Sequence, residues 1–132
     1  MNLNNLFPFF LLLIMFSACA EEEAKEPAYD KQHLIGKWEL TEAWRKGKKT
    51  EMLTGIYYEF DETGDMRTNF TPNMQESEFT YGFDGNHIIQ KGEKESVYVI
   101  DSLTNSTLIF STIFINYPFK LAFNKHIAKE SG

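Results

Sequence analysis

The chain has 132 residues, room for one domain and not two. Its formal charge of −6 argues against nucleic acid or anionic lipid headgroups as partners, because both are polyanions. One cysteine excludes an intrachain disulfide and any zinc site built on several thiolates, while 12 Phe among 15% aromatic residues supply ample material for a packed core.

The first 19 residues hold 14 apolar side chains and no charged one. Leu6 to Phe16 reads LFPFFLLLIMF, eleven residues without a polar side chain. That is short of the roughly 20 needed to span a bilayer, and it falls within the roughly 7–15 of a signal-peptide core. Phe16-Ser17-Ala18-Cys19 then sets small residues directly before the cysteine. This resembles a bacterial lipoprotein signal, which implies cleavage after residue 18 and acylation of Cys19 by diacylglycerol and an N-acyl chain such as palmitate. The other reading is an ordinary secretory signal that leaves Cys19 an incidental thiol. Residues 19–32 follow as a lipidated, acidic tether: five acids and two lysines between Ala20 and Lys31 carry −3. Like charges with little apolar content keep such a segment solvated. Glu21-Glu22-Glu23 after the cysteine also resembles the export signal of Bacteroidetes surface lipoproteins, implying the outer membrane and the cell surface, with a periplasm-facing anchor as the alternative.

From 33 to 126 the pattern is alternation broken by turns. Trp38 and Leu40 oppose Lys37, Glu39 and Thr41; Ile56, Tyr58 and Phe60 oppose Tyr57, Glu59 and Asp61. A period of two means strands with one wet face. Gly47-Lys48-Lys49 reads as a break and Glu62-Thr63-Gly64-Asp65 as a hairpin turn. Met66, Thr68 and Phe70 follow, closed by Thr71-Pro72-Asn73, then Phe79, Tyr81 and Phe83 up to Asp84-Gly85-Asn86. His87 to Gln90 is a short strand, and Ser96 to Asp101 is apolar on both faces. Thr107 to Tyr117 is a long strand, which Pro118 separates from Phe119, Leu121 and Phe123. The end, 127–132, reads as a frayed tail. Eight strands over about 92 residues predict an all-β, small, antiparallel up-and-down barrel.

Leu34-Ile35-Gly36-Lys37-Trp38 carries a Gly-x-Trp at the start of strand one, and the span to Lys125, 70% of the chain, is similar to the short lipocalin-like domains of Bacteroidetes lipoproteins. The resemblance implies an eight-stranded barrel whose floor is closed by Trp38. It also implies a lumen that can hold a small hydrophobic ligand, with Trp38, Leu40, Tyr58, Phe60, Phe70, Phe79, Tyr81, Phe83, Phe119 and Phe123 against it. The same residues also read as a close-packed core, which leaves a second function: an accessory module meeting another envelope protein through its surface or its end loops. Thr71 to Ser77 is the loop candidate, and Trp44, Ile115 and Tyr117 the surface candidates.

Chemistry is sparse. His33, His87 and His126 are scattered without metal-ligand spacing. No Gly-x-Ser-x-Gly, phosphate-binding loop or paired His/Asp is present, so neither catalysis, a cofactor nor a metal is expected. Asp101-Ser102-Leu103 resembles a Bacteroidetes O-glycosylation site, placed at a predicted turn. Glu42 breaks the apolar face formed by Trp38, Leu40 and Trp44. Either it is buried against Arg45 or Arg67, or the strand bulges and turns it to solvent.

Overall fold

Every strand of the structure pairs antiparallel to its neighbours, and the ladder returns on itself. The computed structural model describes residues 28–93 and 95–127. The expected signal peptide, Cys19, the acidic run and the tail beyond 127 lie outside these described residues.

Among the described residues, one helical turn, α1 (Lys31–Leu34), precedes nine strand segments: β1 (Gly36–Arg45), β2 (Lys48–Thr50), β3 (Tyr57–Phe60), β4 (Asp65–Thr68), β5 (Ser77–Phe83), β6 (His87–Lys91), β7 (Ser96–Leu103), β8 (Thr107–Phe114) and β9 (Tyr117–Lys125). β3 pairs with the start of β1, from Gly36↔Phe60 to Glu39↔Tyr57, and β2 with its end, from Ala43↔Thr50 to Arg45↔Lys48. The two segments therefore share one barrel position, interrupted by the loop 51–56. β9 pairs back along β1 from Trp38↔Lys125 to Arg45↔Phe119. The outcome is the expected eight-stranded antiparallel barrel, closed by the pairing of β9 with β1.

Three local readings are corrected. Leu34 belongs to a helical turn rather than a strand: the Asp30 carboxylate caps it by accepting from the Gln32 amide at 2.9 Å. Lys48 and Lys49 are strand, not a break, because positive-φ Lys46 and Gly47 form a tight turn just before them. β8 ends at Phe114, and Ile115 and Asn116, at φ 49° and 68°, make a two-residue turn into β9. Pro118 therefore lies inside β9, opposite Ile113; it has no N–H to donate, and its carbonyl accepts from the Lys46 amide at 3.0 Å.

Of the two readings of Glu42, the bulge that turns it to solvent is the one found. β1 bulges between Leu40 and Glu42, and a one-residue insertion swaps the faces of all that follows. Ala43, paired with Leu121, takes the inward place, while Trp44 turns outward opposite Lys120. Glu42 is solvent-exposed and its carboxylate meets Lys49 at 3.3 Å, so it pairs with neither Arg45 nor Arg67.

The barrel floor is built from the Gly-x-Trp segment. The Trp38 indole N–H donates to the Leu34 carbonyl at 2.9 Å, and both residues are fully buried. Gly36 sits at φ 137°, where an L side chain is strained, and a Cβ there would stand 3.2 Å from Lys125 Cε. The Lys125 ammonium lies 5.0 Å over the Trp38 ring and donates to the His33 carbonyl at 3.0 Å. Partial burial holds its pKa below the usual lysine value.

Candidate functional site: a filled lumen and an outer groove

The inward positions of β3, β7, β8 and β9 meet in one aromatic stack. The Tyr58 ring stands edge-on to Tyr98, Phe110 and Phe123 at centroid distances of 5.5, 5.3 and 5.5 Å, and stacks at 6.0 Å on Phe60. Such pairs each contribute about 0.5–1.5 kcal/mol beyond the area they bury. Above them, at the rim opposite the floor, Phe70 stacks on Phe114 at 4.0 Å and meets Phe119 edge-on at 5.7 Å. Side chains thus occupy the lumen from Trp38 at the floor to the phenylalanines at the rim.

Of the residues expected to line a lumen, Trp38, Tyr58, Phe60, Phe70, Tyr81 and Phe123 are buried in this core, while Leu40, Phe79, Phe83 and Phe119 pack against it half-buried. Tyr98, Ile100, Leu108 and Phe110 complete the core; β7 and β8 carry apolar residues on both faces, so alternation cannot rank them. Gln90 and Thr112 are buried polar residues that alternation alone does not single out. Gln90 Oε1 accepts from the Tyr98 hydroxyl at 2.6 Å, and that oxygen in turn accepts from Tyr58 at 3.0 Å. Burial pushes the Tyr98 phenol up to about 12 and the Tyr58 phenol well above its ordinary value, so both remain neutral donors at physiological pH.

An apolar concavity lies on the outside. A groove of roughly 880 Å³ runs along the outer wall of β7, β8 and β9 to the turn between β1 and β2. Val97, Val99, Ile113, Pro118 and Trp44 line it, with Lys46 and Lys120 as its cations and no carboxylate. Register explains the grouping: Trp44 faces Lys120, Lys120 faces Ser111, and Ser111 faces Val99 across four adjacent strands. The alternation that fills the barrel with Tyr98, Ile100, Phe110 and Thr112 turns Val97, Val99 and Ile113 to water. A second hollow of about 180 Å³ is polar and centres on Arg67, which pairs with Glu59 at 2.9 Å and Glu78 at 3.8 Å.

The remaining expected sites are dispersed. His87 Nδ1 lies 3.3 Å from Asp84 and His126 Nδ1 lies 3.2 Å from Glu39, each with one carboxylate neighbour; among the described residues no three metal-ligating side chains gather. Ser102 is not at a turn. It stands in β7 beyond a bulge at Ile100/Ser102, paired with Ile109 and half-buried. The loop 71–76 folds on itself, with the Thr71 hydroxyl donating to the Gln75 carbonyl at 2.9 Å and the Met74 amide donating to the Thr71 carbonyl at 2.8 Å.

A family model described as a lipocalin-like domain matches residues 34–110. The structure is similar to a crystal structure of a lipocalin-like protein from Bacteroides uniformis, with a TM-score of 0.52 and 18% sequence identity over 71% of this chain and 99% of that one. At that identity the likeness concerns the fold. None of the curated proteins matches the sequence at a significant level.

Proposed function

The chain belongs to the lipocalin-like domain family, and from that premise we propose that it is a non-enzymatic, lipid-anchored binding module of the outer membrane that works through its outer wall. The observation that carries this reading is the contrast between a lumen occupied by the Trp38, Tyr58, Phe110 and Phe123 rings and an apolar groove left open on β7, β8 and β9. An exposed apolar surface of this kind marks an interaction site. Its occupant in this reading is another envelope protein, with Trp44 as the aromatic anchor that such interfaces favour. The leader, the Ser17-Ala18-Cys19 junction and the acidic run support anchoring through acyl chains on Cys19 and display at the cell surface. A small hydrophobic ligand in the lumen is the competing reading; it requires the rim cluster of Phe70, Phe114 and Phe119 to open.

Photo-crosslinkers placed singly at Val99, Ile113 and Thr80, in the full chain within its own membrane, test the proposal. Thr80 is exposed on β5, away from the groove. One and the same adduct from Val99 and Ile113, absent from Thr80 and lost in Val97→Glu, is the expected result. Native mass spectrometry showing a stoichiometric small molecule with no protein adduct would transfer the function to the lumen. Anchoring has its own test: Cys19→Ala is expected to release unacylated protein, and full membrane retention of that variant would overturn the anchor.

A further inference from the structure

Although the chain is acidic as a whole, its cations are not spread evenly. Five of the 13 Lys/Arg, namely Arg45, Lys46, Lys48, Lys49 and Lys120, lie on the β1–β2 hairpin and the adjoining stretch of β9. Only Lys49 meets a carboxylate there, that of Glu42; the other four form no ion pair among the described residues. Beyond these hairpins, Glu51 sits on the loop after β2, and Glu76, Glu93 and Glu95 on the β4–β5 and β6–β7 loops.

Beside this basic collar stands the β8–β9 hairpin, locked to the β1–β2 turn by the Lys46 amide on the Pro118 carbonyl. Its tip presents apolar side chains to solvent: Ile113 is 64% exposed and Ile115 57%. Arg45 and Lys46 lie over the Tyr117 ring at 4.2 and 4.8 Å, and Lys120 lies 5.8 Å from the Trp44 ring. Ile115 is doubly costly where it stands. It is an exposed large hydrophobe, and at φ 49° it is a β-branched residue in the left-handed region. Asn or Gly would suit both positions of such a turn. A residue that violates local preference twice in one place points to a role outside folding.

Apolar tips, Trp and Tyr at their base and unpaired Lys and Arg around them match the layers of a bilayer surface: acyl chains, interface and phosphates. We propose that the paired β1–β2 and β8–β9 hairpin tips dock the barrel onto an anionic lipid bilayer, with Ile115 entering the acyl boundary and Arg45, Lys46, Lys48 and Lys120 meeting lipid phosphates. This contact is separate from acylation at Cys19 and leaves Val97, Val99 and Ile113 to a protein partner, with Lys46 and Lys120 bordering both surfaces; it sets which end of the barrel faces the membrane.

The full chain reconstituted into vesicles carrying brominated acyl chains tests the docking. In a Trp44→Phe background, a reporter is introduced by Ile115→Trp at the tip or by Asn105→Trp in the β7–β8 turn at the floor end, so any anchor and the buried Trp38 are common to both. With phosphatidylglycerol present, Ile115→Trp fluorescence is expected to be quenched and blue-shifted and Asn105→Trp fluorescence to be unaffected. Adding Lys46→Ala, Lys48→Ala or Lys120→Ala is expected to weaken the docked population roughly fivefold each, the partition change for one cation at an anionic surface. High salt is expected to act in the same direction, with near-ultraviolet circular dichroism confirming the barrel. Equal quenching of both reporters, quenching of neither, or quenching indifferent to phosphatidylglycerol and salt would overturn the proposal. None of these outcomes bears on the crosslinks from Val99.

Discussion

Inside the barrel the Tyr58 hydroxyl donates to the Tyr98 hydroxyl at 3.0 Å, and Tyr98 passes the chain on to Gln90 Oε1 at 2.6 Å. The three groups come from β3, β7 and β6, so a polar thread ties opposite walls of the barrel through an otherwise aromatic interior. Tyr98 is the middle link, as acceptor and as donor. Tyr98→Phe leaves a buried donor and a buried acceptor unpaired at once, whereas Tyr58→Phe leaves the Tyr98–Gln90 bond intact. At about 1–3 kcal/mol for each stranded group, Tyr98→Phe is expected to destabilise by about 2–4 kcal/mol and Tyr58→Phe by about 1 kcal/mol. Urea unfolding checks the order; equal losses would show that the thread does not run through Tyr98.

The same phenols make the fold sensitive to alkali. Their folded pKa values lie above the unfolded value of about 10, that of Tyr98 at about 12. The contribution is therefore complete below about pH 10 and is lost as pH rises toward the folded pKa. The unfolded chain releases the protons first, and stability is expected to fall by about 1.4 kcal/mol per pH unit for each phenol. Unfolding midpoints measured between about pH 9 and 11 check this, and the Tyr58→Phe, Tyr98→Phe double variant is expected to show a shallower fall.

Acid acts through two turns with the opposite sign. Asp84 Oδ1 accepts from the Asn86 and His87 amides at 3.0 and 2.8 Å, and Asp61 Oδ1 accepts from the Thr63 and Asp65 amides at 3.0 and 2.9 Å. Backbone donors hold both carboxyls below the ordinary aspartate value, for Asp84 those of Asn86 first and for Asp61 that of Asp65 first. A depressed pKa stabilises above the unfolded value of about 3.9, and the effect disappears as pH falls through the folded value. A thermal midpoint that declines below about pH 4, less steeply in an Asp61→Asn, Asp84→Asn double variant, is the expected outcome.

Trp38 closes the floor, and its replacement has a calculable cost. Trp38→Phe removes the indole bond to the Leu34 carbonyl at 2.9 Å, leaves that buried carbonyl without its donor, and opens space beneath the Lys125 stem. Combining the lost bond with the cavity predicts a loss of about 2–4 kcal/mol, read as a lower urea midpoint at unchanged slope. A loss under about 1 kcal/mol would mean that α1 and Leu34 close the floor unaided.

Ile115 offers a variant that separates folding from membrane contact. Ile115→Asn suits the left-handed backbone at φ 49° and is expected to stabilise the barrel by about 1 kcal/mol. It is also expected to lower affinity for phosphatidylglycerol vesicles, because the tip loses its apolar side chain. A rise in thermal midpoint together with weaker vesicle binding is the signature of a residue kept for docking; a fall in midpoint would show that the turn needs isoleucine for its own packing.

Period-two alternation with turn residues at regular spacing was enough to specify an eight-position antiparallel barrel, because one wet face and one apolar face leave a sheet few ways to close. Gly36 and Trp38 were equally legible, since a glycine at φ 137° and an indole over the floor leave a recognisable spacing. What alternation could not show was parity after the bulge at Leu40/Glu42, which sent Ala43 inward and Trp44 outward. It could not choose a face for β7 and β8 either, where both faces are apolar. Clustering of Arg45, Lys46, Lys48 and Lys120 beside Ile115 was invisible in a net charge of −6, because total charge ignores position. Local sequence determined the strands. Strand register, which depends on pairing between residues far apart in the chain, decided which side chains fill the lumen, which form the groove, and which charges stand together.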